Sequence, residues 1–409
     1  MIKRIIPAMV VLALGTGSAQ AASLFDVNAT LKLNNGSTQT GNASYSKAED
    51  ALHALDTGNL TGVVNNYTGT EAASVQLGFR GLPVTLSYPT AGATTLQLQI
   101  PSLGINQSFT GSTRNDSSKM LRDYFKNGDL LGQIMKKLAA VSPVDPIAGN
   151  PNSLMSRLAA QDFSTGFTDP IATVGPREEG AEPANNLVGI DMRYGNFKQD
   201  GLKSTVISLP LSYVVRNDLN PRRQMIFSMP LTQTDAEGAK SYQAGLGFAY
   251  RVPVNDNWAL TPGVGYSIAG SKDLGSAAQM MSLSLTSHLA FDLGWGSVAM
   301  GNMVGSYKAL KTNVGDYSFD PQIRNTVLRN GFMLSLPTPI GGKRMSTEFS
   351  AIDTRYSGSE LYMKSYQEYG VALTTARSAV SSRSFLRTGI NFLQSSQSKG
   401  ATINFGYWF

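Results

Sequence analysis

The chain has no cysteine among its 409 residues and only two histidines, His53 and His288. The first absence excludes a disulfide-stapled secreted scaffold, and together they argue against a zinc site built from cysteine and paired histidines. No cofactor-binding motif is found. Beyond the first turns of the chain there is no run of about 18 apolar residues, so no helical membrane anchor is expected. Charge is also sparse, at 15% of residues, and the formal net charge of +6 is too small and too dispersed to imply nucleic acid as a partner.

What is present begins with a leader. Lys3 and Arg4 precede the apolar run Ile5 to Gly15, and Ala19-Gln20-Ala21 is a small-x-small cleavage site, so residues 1–21 read as a secretory signal peptide. The remainder divides into a small β-rich region (22–117), a helical connector or plug with a linker (118–185) and a long β region (186–409).

In the first region, residues 23–33 form an opening strand before the Asn34-Asn35-Gly36 turn signal. Residues 46–55 read as a short helix capped by Ser46 with Glu49 three residues on, Leu52 and Leu55 facing inward. Three alternating runs, 73–79, 82–88 and 95–100, make an antiparallel meander with one apolar face. The connector carries helical periodicity over 118–140, interrupted at Asn127-Gly128-Asp129, with a further short helix over 153–160 and a flexible linker over 170–183. It fits either of two placements, inside a barrel lumen or in the periplasm.

From residue 186 onward, twelve strand-like runs of about 9–14 residues, the tenth of them beginning at Glu360 and reaching Thr374, alternate apolar and polar side chains. That is the length of a tilted strand crossing hydrocarbon, whereas soluble sandwiches use shorter strands. The run at 280–293 is the clearest: Met281, Leu283 and Leu285 fall on one face, Ser282, Ser284, Thr286 and His288 on the other. The last run ends on Ile403, Phe405, Tyr407 and Phe409, all on one face. The fold expected is an all-β transmembrane barrel of about 12 antiparallel strands, preceded by a small β-rich domain and a helical connector. With the amino end of the barrel in the periplasm, the longest connection (311–325) faces outward, and Trp258, Trp295 and Trp408 lie near the inner turns, where an aromatic girdle belongs.

Residues 186–409 resemble a bacterial outer-membrane β-barrel. The terminal strand, with Tyr407 and Phe409, resembles the signal read by the outer-membrane assembly machinery. Twelve strands behind an amino-terminal domain and a helix also resemble the translocator of autotransporters, although residues 22–117 lack the repeats of a solenoid passenger. The resemblance implies a Gram-negative outer membrane, with its lipid and lipopolysaccharide as surroundings and with cargo or a periplasmic partner to be accommodated.

The phase of the strands turns Asp191, Arg193, His288, Asp292, Arg344, Glu348, Lys364, Glu368 and Arg387 toward the lumen. Mixed charges of this kind either tune a water-filled pore or hold a plug. His288 and Asp292 on one strand are about 13 Å apart, too far to touch, so a barrel-embedded hydrolase is a weak reading and no catalytic residue is assigned. The function expected is a transport or export pore with an amino-terminal plug or periplasmic adaptor. The alternatives are a compact autotransporter-like surface protein or adhesin, a structural envelope anchor, and the hydrolase.

Overall fold

The computed structural model describes residues 23–55, 59–127, 130–167, 186–220, 222–338, 340, 345–375 and 385–409. The leader over residues 1–21, the linker over 170–183 and Arg344 lie outside them.

The amino-terminal domain is one antiparallel sheet of six strands. They are β1 (Phe25–Lys32), β2 (Thr38–Tyr45), β3 (Ala72–Phe79), β4 (Leu82–Tyr88), β5 (Thr95–Ile100) and β6 (Ile105–Thr110), in the order β2-β1-β3-β4-β5-β6. One face of β1, namely Phe25, Val27, Ala29 and Leu31, is completely buried, as strand alternation requires. A short helix, α1 (Ala48–Ala54), covers it. Here the structure departs from the sequence reading. The helix presents Ala48, Ala51 and Ala54 to the core, while Leu52 is 52% exposed. Small residues at this spacing let the helix lie close to its neighbours. Nor does Ser46 cap it: the N-cap is Lys47, with no side-chain bond, and the free N–H of Ala48 donates instead to the Asp273 carbonyl of a barrel connection, 2.7 Å away.

Glu71, at the foot of β3, is buried and saturated with donors. It accepts from the Thr68 hydroxyl at 2.6 Å, the Thr68 N–H at 2.9 Å and the Thr70 N–H at 3.2 Å. Burial works to raise its pKa, but these donors outweigh it and hold the carboxyl at about 2, below its ordinary 4.5. A depressed carboxyl stabilises the fold above its unfolded pKa, and that contribution is lost as pH falls through the folded value. The thermal midpoint of this domain should therefore drop between about pH 4.5 and about pH 2, and Glu71→Gln should flatten that part of the profile. An unchanged profile in the variant would assign the acid sensitivity elsewhere.

Two helices follow, α2 (Arg114–Asn127) and α3 (Leu130–Val141). The buried face of α3, Leu130, Ile134 and Leu138, packs on Leu96, Leu98 and Ile100 of the sheet. The connector's first two helices thus close the domain's own core, while Met135 and Ala139 on the other side of α3 join the buried cluster of the third helix, α4 (Leu154–Phe167), and the barrel.

The remaining strands close into a barrel of twelve. These are β7 (Leu187–Gln199), β8 (Leu202–Arg216), β9 (Gln224–Ala236), β10 (Ala239–Pro253), β11 (Trp258–Ser271), β12 (Ser276–Asp292) and β13 (Ser297–Leu310). After a small hairpin, β14 (Thr312–Val314) and β15 (Tyr317–Phe319), come β16 (Arg324–Pro337), β17 (Met345–Gly358), β18 (Ser365–Thr375), β19 (Phe385–Gln394) and β20 (Ser398–Trp408). All pairings are antiparallel, and β20 pairs with β7 to seal the wall, from Ser398 opposite Gln199 to Trp408 opposite Gly189. Closure leaves no edge strand in the wall, the condition for spanning lipid.

The outer surface is the apolar face of the alternation. Met192, Leu246, Leu283 and Ile403 are 57–63% exposed. In water such a belt would be an aggregation surface; around a closed barrel it is the lipid-facing side. Trp295 stands exposed and Trp258 half-exposed at the rim expected for them. Trp408 does not: its ring turns inward onto the cluster of Leu187, Val214, Ile226 and Ala249. The reason is phase, because Trp408 falls between the lipid-facing Tyr407 and Phe409.

Candidate functional site in the barrel lumen

The lumen is occupied by α4. Its first turn is tied to the wall at the end of the barrel that carries the β7–β8 and β9–β10 hairpins. The Asn152 amide donates to Ser204 at 3.0 Å, the Gln243 amide donates to the Asn152 carbonyl at 2.8 Å, and the Tyr356 hydroxyl donates to Ser156 at 2.9 Å. Farther down, the Tyr307 hydroxyl donates to Asp162 at 2.9 Å. At the last turn, buried Arg251 donates to the Thr165 carbonyl at 2.6 Å and to Gln224 at 2.7 Å. The helix thus enters at the hairpin end and finishes near the end where the barrel's own termini lie.

An amphipathic helix in a polar lumen would leave its apolar stripe unpartnered. Here part of the wall is apolar to match. Leu154, Met155, Leu158, Phe163 and Phe167 share one buried cluster with Met280, Met303, Tyr307, Val327 and Met333 of the strands. Room for the two phenylalanines comes from Gly301 and Gly331. A β-carbon at Gly301 would stand 2.4 Å from the Phe167 ring, and one at Gly331 2.7 Å from Phe167 and 2.8 Å from Phe163. The phenylalanine rings lie 4.9 Å apart, and the Arg329 guanidinium sits 5.2 Å over Phe163.

The residues assigned to the lumen from strand phase have several fates. Asp191 and Arg193 are half-buried and paired with each other at 2.7 Å. Glu348 is buried and accepts from Arg387 at 2.9 Å. Glu368 accepts from Arg329, whose other nitrogen donates to the Tyr366 hydroxyl at 2.8 Å. His288 is buried against Phe167, with ring centroids 6.0 Å apart. Asp292 is exposed at the β12–β13 turn, where it accepts from the Gly294 N–H at 2.8 Å. Lys364 is also exposed, because residues 360–364 are not strand but a connection. That segment alternates because it folds inward: Leu361 and Met363 are buried, the Tyr362 N–H donates to the Ala139 carbonyl and the Met363 N–H to that of Gly149. Tyr407 and Phe409 stack on the lipid face with centroids 5.6 Å apart.

Strand phase alone under-reads the site. Arg251, Arg329 and Tyr307 are deeply buried polar side chains bonded to or stacked on α4, and none is singled out by charge pattern. Arg329 does alternate with buried Val327 and Met333, which is the signal that marks it as inward. Among the described residues no three His, Asp or Glu side chains come together that can hold a metal.

The site is therefore a lumen of mixed character, apolar where α4 lies and charged along β7 and β16–β19, filled by a helix of its own chain. A closed, even-numbered antiparallel barrel with a lipid-facing apolar belt is an outer-membrane-type β-barrel. The particular relatives are distant. No described protein family matches the chain, and no curated protein matches it. Solved structures with a similar outline include the translocator domain of the autotransporter NalP from Neisseria meningitidis, at 11% identity and a TM-score of 0.45, covering 62% of this chain and 95% of that one. The beta domain of the Bordetella autotransporter BrkA gives 12% identity and a TM-score of 0.44, covering 55% and 99%. An outer membrane channel from Pseudomonas putida F1 gives 12% and 0.37, covering 57% and 98%. These likenesses are too distant to carry a function across.

Proposed function

We propose that the chain is a compact surface-display protein of the Gram-negative outer membrane, whose barrel exports and then anchors its own amino-terminal domain. The observation that carries this reading is the path of the chain. The domain sits at the hairpin end, with Leu202, Ala236, Ala239 and Leu274 of the barrel in its core cluster, and α4 descends through the lumen toward the end where β7 begins. The longest described connection, between β13 and β16, lies at the domain's end, and outer-membrane barrels turn their longer loops outward. Tyr407 and Phe409 stack on the lipid face at the opposite rim. An export role unites this reading with that of a transport pore; the difference is whether the cargo is the chain's own domain or another molecule.

The test is the position of the domain. A protease site or epitope placed at Asn35, in the exposed β1–β2 turn, should be reached on intact cells. Protection in intact cells with exposure only after permeabilisation would overturn the reading and leave a periplasmic adaptor.

A further inference from the structure

We propose that the outer face of β20, β7 and β8 binds a phosphorylated glycolipid of the outer leaflet. Register places Lys399 opposite Lys198 and Lys198 opposite Lys203, so three lysines stand side by side on adjacent strands. All three residues are exposed on the lipid-facing phase, at the hairpin end of the apolar belt. Among the described residues none of the three has a salt-bridge partner, and the neighbouring Glu237 carboxylate accepts from the Lys203 backbone N–H at 2.6 Å. Like charges directly opposite one another destabilise a sheet. A bound dianion removes that repulsion and takes charge-assisted hydrogen bonds from the lysines.

What lies beneath the lysines fits the rest of such a lipid. Two residues down each strand, about 7 Å toward the membrane, the same register brings together Ala401, Asn196 and Thr205. The Thr205 hydroxyl donates to the Asn196 amide oxygen at 3.0 Å, which leaves the amide N–H groups as donors for a sugar hydroxyl. A further two residues down stand Ile403, Tyr194 and Ile207, each 46–57% exposed, a surface for acyl chains. Cationic, hydrogen-bonding and apolar rows follow one another in the order phosphate, sugar and acyl chain.

This inference rests on the orientation proposed above, but binding in detergent reads the site without the membrane, so the two can fail separately. The full-length chain, with folding checked by its heat-modifiable mobility, is titrated with diphosphoryl lipid A, with its dephosphorylated form and with phosphatidylglycerol, and complexes are followed by native mass spectrometry. Diphosphoryl lipid A should bind at least about ten-fold more tightly than either of the others, in a salt-sensitive manner. The variant K198Q/K203Q/K399Q should lose at least about ten-fold. K308Q/R324Q, which removes a register-matched basic pair from the opposite wall, should bind as the unaltered protein does. Equal binding of phosphatidylglycerol would reduce the site to a generic anionic surface. Equal losses in both variants would reduce it to net charge, and an unaffected triple variant would remove it. Each of these results overturns the proposal.

Discussion

Deleting residues 153–167 from the full chain is expected to turn a non-conducting barrel into one that conducts steadily in a planar bilayer. The unaltered lumen is filled: Met155, Ala159, Phe163 and Phe167 on α4 are at most 1% exposed, and the strand side chains opposite them are buried to match. Twelve strands lie between the eight that side chains alone can fill and the sixteen that leave an aqueous channel. Removing the helix leaves a lumen that is apolar along Met280, Met303, Val327 and Met333 and charged along Arg193, Arg329, Arg387 and their carboxylates, and water can wet the charged side. Folding is checked by the same mobility assay, so a misassembled barrel is not mistaken for a closed one. A folded barrel that stays closed would show that the remaining side chains collapse across the gap, and it would weaken the transport reading. Gly331→Leu offers a second approach, since its side chain claims the space of two buried rings and should loosen the helix without removing it.

Replacing Arg80 by Ala should release the domain from the barrel at a cost of about 3–5 kcal/mol of docking energy, the range for stripping one partner from a buried ion pair. Arg80 occupies the left-handed turn between β3 and β4, at φ 51°, and its side chain and that of Asp145 are both fully buried. It donates to Asp145 at 3.1 Å and to Ser276, the first residue of β12, at 2.9 Å. The other oxygen of Asp145 accepts from the N–H groups of Ile147 and Ala148 at 3.0 and 3.1 Å. One guanidinium thus joins sheet, connector and barrel, and its loss strands a buried carboxylate. Limited proteolysis of the folded protein should cut the variant between residues 111 and 153 much faster than the parent, and the domain should melt as a separate, lower transition. The double variant R80M/D145N, which abolishes the charge on both sides, should recover part of the difference. Unchanged proteolysis in Arg80→Ala would assign docking to the apolar contacts of Leu202 and Leu274 instead.

The barrel was the legible part. Twelve strands, their closure and most lipid-facing residues follow from a period of two sustained over long runs, because lipid on one side and protein on the other leave little freedom of phase. Strands β2 and β6 escaped detection for a physical reason: each is an edge of the six-stranded sheet, so sequences such as Thr38–Tyr45 carry polar residues where a central strand needs apolar ones. Residues 360–364 misled in the opposite direction, since alternation there serves a segment bonded to the connector. The lumen was legible only in part. Phase turns Asp191, Glu348 and Arg387 inward, but it does not say that Phe163 and Phe167 exist to fill spaces opposite Gly301 and Gly331. That complementarity joins residues more than a hundred positions apart, and no local pattern encodes it.

The connections at the domain end set where this protein can be cut and rebuilt. Two hairpins there are two-residue turns, Asp200-Gly201 and Glu237-Gly238, with both residues at positive φ. The longer connections are committed to the domain. Asp273 receives the Ala48 N–H, Asp320 lies against Gly132 in α3, and residues 362 and 363 bond the carbonyls of Ala139 and Gly149. An engineer wishing to graft a different cargo onto this barrel would therefore not find a clean module boundary at residue 153. The portable unit is discontinuous: residues 23–152 travel with the segments at 271–276, 310–324 and 358–365 and with Leu202, Ala236 and Ala239 beside the two short turns, and a chimera that exchanges the first without the others leaves fitted surfaces facing nothing.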